Sequence, residues 1–183
     1  AGVLSLFGST LRGNNASGLA GFAGSALYNT GSASLANGTL LTGNVAPAGV
    51  VGSTLYNGGS MLYVLPAPLG RYLHGVFVCE PELCLDVGSS TPRPCADQSC
   101  DVDLYHGRHI VVVQSGGLDE DLPQPCALGY YGGSSRPEYQ SSFSCEGGCP
   151  PGFVCDSVGT VHPRPCPPGH WCSGGYSNAC PFS

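Results

Sequence analysis

The chain has 183 residues, of which only 10% are charged, with 29 Gly, 16 Pro and a net charge of −6 at pH 7. All six basic residues are Arg, and they are scattered. That argues against nucleic acid or an anionic membrane surface as partner, since both need clustered cations. No apolar run reaches the ~18 residues that span a bilayer, so no direct membrane insertion is expected. The opening Ala1-Gly2-Val3, without an initiator Met, reads as a mature or cut product.

Residues 1–63 contain no Cys, Asp, Glu, His or Lys, and Arg12 is their only charge. They repeat internally. Ser25-Ala-Leu-Tyr-Asn-Thr-Gly-Ser32 aligns with Ser53-Thr-Leu-Tyr-Asn-Gly-Gly-Ser60, an offset of 28. Gly13-Asn14-Asn15-Ala16 aligns with Gly43-Asn44-Val45-Ala46, an offset of 30, and Leu6…Thr10-Leu11 echoes Leu35…Thr39-Leu40. Repeats of this length signal a solenoid. Short alternating runs separated by Gly and Asn predict strands with left-handed corners, and helical periodicity is absent. A parallel β-helix is therefore expected, with Asn29 and Asn57 stacked as a side-chain ladder and Tyr28 and Tyr56 one coil apart. A flexible Gly/Ser linker is the alternative, but a linker has no reason to keep register.

Residues 64–78 form a connector in which Pro66 and Pro68 favour an extended, polyproline-like path. Residues 79–125 are expected to form a small Cys-containing β module. Within it His109-Ile-Val-Val-Val-Gln114 reads as a strand ending at Gly116-Gly117.

All eleven cysteines fall at or after Cys79: Cys79, Cys84, Cys95, Cys100, Cys126, Cys145, Cys149, Cys155, Cys166, Cys172 and Cys180. That density is typical of secreted disulfide scaffolds, and units this short and polar need disulfides in place of a core. Pro92-Arg-Pro-Cys95, Pro123-Gln-Pro-Cys126 and Pro163-Arg-Pro-Cys166 share one pattern. Cys149-Pro-Pro-Gly-Phe-Val-Cys155 recurs as Cys166-Pro-Pro-Gly-His-Trp-Cys172. Spacing leaves the connectivity open; Cys126–Cys145 is the favoured single pair, because an irregular loop separates them. The odd count leaves one Cys without a partner inside the chain. Cys180-Pro-Phe-Ser183 looks like the start of a further unit.

At these residues a resemblance emerges. The Leu-Tyr-Asn-x-Gly-Ser repeats resemble the right-handed parallel β-helix repeats of polymorphic outer-membrane-protein-like proteins. The Pro-x-Pro-Cys-Pro-Pro-Gly-x-x-Cys units over residues 126–183 look like ephrin-receptor-like cysteine-rich repeats. The two, joined by a stretch like Leu65–Arg71, are similar to large surface proteins of protists and algae. The resemblance implies a mostly β fold: the end of a right-handed parallel β-helix, then small disulfide-rich, loop-dominated modules. It also implies an extracellular surface or fibre role, of the flagellar-hair (mastigoneme) kind, without catalysis. Between Cys79 and Cys100 the cysteine spacing departs from that pattern.

Other chemistry is weaker. Cys95, Cys100, His106 and His109 could be imagined as a zinc site, but their spacing is unlike a zinc finger and an oxidising compartment favours bridges. Asp119-Glu120-Asp121 could bind Ca²⁺, yet it lacks spaced ligands and reads as a solvated acidic turn. A polysaccharide-cleaving β-helix would need carboxylates on its coils, and residues 1–63 have none. Asn15 and Asn37 head N-glycosylation triplets. Tyr130, Tyr131, Tyr139, Phe153 and Trp171 are expected to cover disulfides, with ligand binding as the other option.

The expected function is an extracellular structural building block of a cell-surface fibre, not an enzyme, without cofactor or metal. Its partners are other copies head-to-tail or flanking parts of a longer chain, and covalently attached glycans. An adhesin or receptor-type ectodomain binding protein or glycan is the alternative, and a carbohydrate-active enzyme the third. A β-helix of barely two coils exposes edge strands, so further coils before Ala1 or from a neighbour are expected.

Overall fold

The computed structural model describes residues 3–16, 24–47, 51–74, 76–80, 83–86, 109–113 and 115–180. Among them are strands and turns, one 3-10 turn at Pro137–Tyr139, and no α-helix. The chain divides into two compact units, Ala1–Ala67 with His74–Pro123, and Pro68–Leu73 with Gln124–Ser183.

In the first unit each repeat contributes short strands that lie parallel to those of the next. β1 (Val3–Phe7), β4 (Ser32–Ala36) and β7 (Ser60–Val64) stack in register, Leu6 opposite Leu35 and Leu35 opposite Tyr63. β2 (Thr10–Arg12) pairs with β5 (Leu40–Thr42), and β3 (Leu27–Asn29) with β6 (Leu55–Asn57). Alternation explains the strands: along β4, Ala33 and Leu35 are buried while Ser32 and Ser34 are not. Leu35, Leu41, Leu55 and Tyr63 are fully buried, and each aliphatic side chain withdrawn from water contributes ~1.5–3 kcal/mol.

Corners between strands require glycine where backbones nearly touch. A Cβ on Gly59 would sit 2.1 Å from the Gly31 carbonyl oxygen of the repeat below. One corner differs from the expected alignment. Thr10 pairs with Leu40 and Leu11 with Leu41, one residue later than the echo of Thr10-Leu11 by Thr39-Leu40 suggested. The extra residue is accommodated by Asn37 (φ 53°) and Gly38 (φ 78°) turning left-handed in succession. Thr39 is thereby drawn inward to complete burial, its Oγ1 lying 2.8 Å from the Ala36 carbonyl and 3.2 Å from that of Leu6.

A returning segment then reverses direction. β11 (His109–Val112) runs antiparallel against β7 and against β9 (Val76–Glu80), and β9 pairs in turn with β10 (Leu83–Asp86). β12 (Gly116–Leu118) is antiparallel to β6, and Leu122 bridges Leu41, with reciprocal backbone bonds of 2.8 and 3.0 Å. Within the strand expected at His109–Gln114, β11 thus continues the sheet of the repeats; Gln114 lies outside the described residues.

The proline stretch bends: Leu65–Pro66 is cis, Leu69-Gly70 turns, and β8 (Arg71–Tyr72) follows. In the second unit β8 pairs with β13 (Gln124–Pro125), and two-stranded ribbons follow. These are β14 (Tyr130–Tyr131) with β15 (Gly147–Gly148), β16 (Phe153–Val154) with β17 (Arg164–Pro165), and β18 (His170–Ser173) with β19 (Tyr176–Ala179). Its buried cluster is small: Tyr72, Cys126 and Cys145.

Candidate functional site

The first unit carries its polar groups in columns. Asn57 Oδ1 accepts from Asn29 Nδ2 at 2.7 Å, as the Leu-Tyr-Asn repeat predicts, and Asn57 Nδ2 donates to the Val113 carbonyl at 3.1 Å. Asn44 Oδ1 accepts from both the backbone N–H and Nδ2 of Asn14, at 3.0 and 2.9 Å. Tyr63 donates its hydroxyl to the Thr39 carbonyl, and burial pushes its pKa up, so it stays a donor. No described buried side-chain polar atom lacks a partner, which is what a dry interior requires.

Outside, Tyr28 and Tyr56 stack with ring centroids 5.0 Å apart and planes 15° from parallel. Tyr28, the outer ring of the pair, is 54% exposed, and Tyr56 is half-buried. Asn15 and Asn37 are both exposed; Ser17, which completes the first triplet, lies outside the described residues.

The acidic run Asp119-Glu120-Asp121 does more than the solvated turn expected of it. Asp119 Oδ1 accepts the N–H groups of Gly52 (3.0 Å) and Ser53 (2.7 Å). Asp121 accepts from the Gly43 N–H (3.0 Å) and the Thr42 hydroxyl (2.7 Å). A readable signal existed: residues 1–63 contain no acid, so acceptors for their corner amides had to come from elsewhere. The Ser53 N–H, the largest influence, holds the Asp119 carboxyl below the usual carboxylate range. A depressed folded pKa means the contribution is present above the unfolded value of about 4 and is lost as pH falls through the folded value. Protection of the Gly52 and Ser53 amides, relative to their intrinsic exchange rates at each pH, should therefore fall on acidification below pH ~4. Asp119→Asn should flatten that dependence; an unchanged acid profile in the variant would remove the role assigned to the carboxylate.

In the second unit the favoured pair Cys126–Cys145 forms a disulfide, joined by Cys149–Cys155 and Cys166–Cys172. Each bridge starts at the Cys of a Cys-x-x-Gly corner, and Gly129, Gly152 and Gly169 have φ of 83°, 80° and 76°. The first Cys of each following unit donates its backbone N–H to the preceding corner's glycine carbonyl. Cys149 bonds Gly129 at 2.9 Å, Cys166 bonds Gly152 at 2.8 Å and Cys180 bonds Gly169 at 2.9 Å. Cys180 thus occupies a unit-start position, and it forms no disulfide among the described residues. Arg164 Nη2 holds both Asp156 oxygens at 2.7 Å across the β16–β17 ribbon, which lowers the Asp156 pKa. Phe143 meets Tyr130 edge-on at 5.7 Å, while Phe153 and Trp171 remain partly exposed.

Cys79 and Cys84 lie opposite each other in the β9–β10 register. Cys95, Cys100 and His106 lie outside the described residues, and so does the imagined zinc site. Among the described residues no group of three His, Cys, Asp or Glu side chains could hold a metal ion, and no helix is long and apolar enough to cross a membrane. The disulfides are consistent with an oxidising, secretory environment. No protein-family model, curated protein or solved structure matches the chain.

Proposed function

We propose that the chain is a non-catalytic extracellular structural segment, a building block of a cell-surface fibre. In this reading residues 1–63 are coils of a right-handed parallel β-helix, and the cysteine-rich part is a row of ephrin-receptor-like stapled modules. The observation that carries it is the repetition of like on like in both units. Parallel strands stack with Asn over Asn and Tyr over Tyr, and successive modules are linked by the same Cys N–H to Gly carbonyl bond. Repeats joined to their neighbours by one recurring contact build rods, and heterologous contacts that do not close build filaments. The exposed Asn15 and Asn37 suit a glycosylated surface. Residues 1–63 have no carboxylate or His, and the Asp119 and Asp121 carboxylates that reach their corners are engaged by N–H and hydroxyl donors, which supports a non-enzymatic role.

The resemblance to protist and algal surface proteins agrees with this reading, including the flagellar-hair variant. The exposed Tyr28–Tyr56 stack favours the second reading, an adhesin whose aromatic face meets protein or sugar. Electron microscopy and sedimentation of native material separate the two. Filaments with a regular repeat support the structural reading. A discrete monomer that is retained on a glycan or protein array supports the adhesin reading instead.

A further inference from the structure

The stack of repeats has two unlike ends. At one, β12 covers β6, Leu122 covers Leu41, and β7 continues into antiparallel β11. At the other, nothing among the described residues pairs with the outer edges of β1, β2 and β3. Burial follows the same asymmetry column by column. Leu6 is half-buried, whereas Leu35 and Tyr63 in its column are 0% exposed. Leu4 is half-buried above a column of Ala33 and Met61, both buried, and Leu11 precedes the fully buried Leu41. Phe7 is 59% exposed, while Ala36 and Val64 in its column are buried. Each apolar column is closed wherever a repeat lies on both sides, and open only at the first.

We infer that the open edge is the seat of one further parallel repeat of the same kind, supplied from outside the described residues. This rests on the coil reading above and names its partner. The occupant continues the β1–β4 contact. It carries apolar side chains over Leu4, Leu6 and Leu11, and an amide side chain over the exposed Asn14, as Asn14 lies over Asn44. A second copy cannot supply this contact in parallel register, because the edge it would have to offer is the one covered by β12 and Leu122. Along the stack, two copies could meet only open edge to open edge, an isologous contact that closes at two. Growth along the stack is therefore one-ended, and any head-to-tail contact between copies must use other surfaces.

The test fuses a duplicate of residues 32–59 directly ahead of Val3 in the otherwise full chain; a second fusion duplicates residues 3–31. The expected result is slowing of amide exchange in β1 and β2 by about 100-fold or more, and a higher Tm. No added protection with either fusion overturns the inference. So does concentration-dependent dimerisation of the unfused chain that protects the same amides, which would make a second copy the occupant. Rapid exchange of β4 and β5 in the unfused chain would sink the coil reading itself. Slow exchange there, with no gain on fusion, sinks only this inference.

Discussion

Replacing Cys126 and Cys145 together by Ser should unfold the second unit at or near physiological temperature. Their bridge closes a loop of sequence separation 19. In the chain-entropy model a loop of that size contributes about 3 kcal/mol, against about 2 kcal/mol for the six-residue bridges. It is also the only bridge among those described whose two sulfurs lie in the buried cluster, beside Tyr72. Serine at both positions would add buried hydroxyls in place of apolar sulfur, so the combined cost should reach about 3–5 kcal/mol. Breaking Cys166–Cys172, whose residues are not buried, should cost about 2 kcal/mol or less. Thermal denaturation of the oxidised proteins, read by near-ultraviolet dichroism of the tyrosines, checks the order. Equal losses for the two bridges would contradict it.

Asn57→Ala should destabilise the first unit by about 2–4 kcal/mol. The side chain is 1% exposed and satisfies groups on two sides. It accepts from Asn29 Nδ2 and the Gly59 N–H, and donates to the Val113 carbonyl of the returning segment. Alanine leaves the half-buried Gly59 N–H and Val113 carbonyl without this partner, and an unmet group costs up to ~1–3 kcal/mol as its burial becomes complete. Tyr28→Ala, one residue before Asn29 in the partner strand, removes an exposed ring and should cost under about 1 kcal/mol. Urea unfolding of the two variants measures the contrast. A loss below about 0.5 kcal/mol for Asn57→Ala would mean that water or relaxation replaces the ladder.

What could be read from the sequence was whatever repeats by translation. The Leu27-Tyr28-Asn29 and Leu55-Tyr56-Asn57 register, the Asn ladder and the alternation within β4 and β7 all follow from residues recurring at a fixed step. The Cys126–Cys145 bridge was readable because a long irregular loop needed closing. Reversal was not readable. Nothing in the string His109–Val112 says that it returns antiparallel to Ser60–Val64, because an apolar strand suits either direction and the partner lies far away in sequence. The corner at Asn37-Gly38 shifted a register by one because two consecutive left-handed residues absorb the extra length, which a repeat alignment treats as noise. Asp119 and Asp121 looked like a charge cluster because the lack of acid in residues 1–63 says that acceptors must come from elsewhere, but not which carboxylates reach the Gly52, Ser53 and Gly43 N–H groups and the Thr42 hydroxyl. Arg71-Tyr72 looked like connector because a two-residue strand has no periodicity of its own.

The antiparallel return also sets an order of events during synthesis. Gly116 closes on Asn57 and Leu122 on Leu41, separations that a ribosome working at ~5–20 residues per second covers in roughly 3–16 s. For that interval the repeats lack the segment that covers β6 and Leu41 in the finished fold. The Gly/Ser-rich, nearly uncharged composition of residues 1–63 leaves few side chains to repel a neighbouring nascent chain. Crowded polysomes would then be the setting where mispairing is most frequent, and Asp119, Asp121 and Leu122, arriving together, complete the closure.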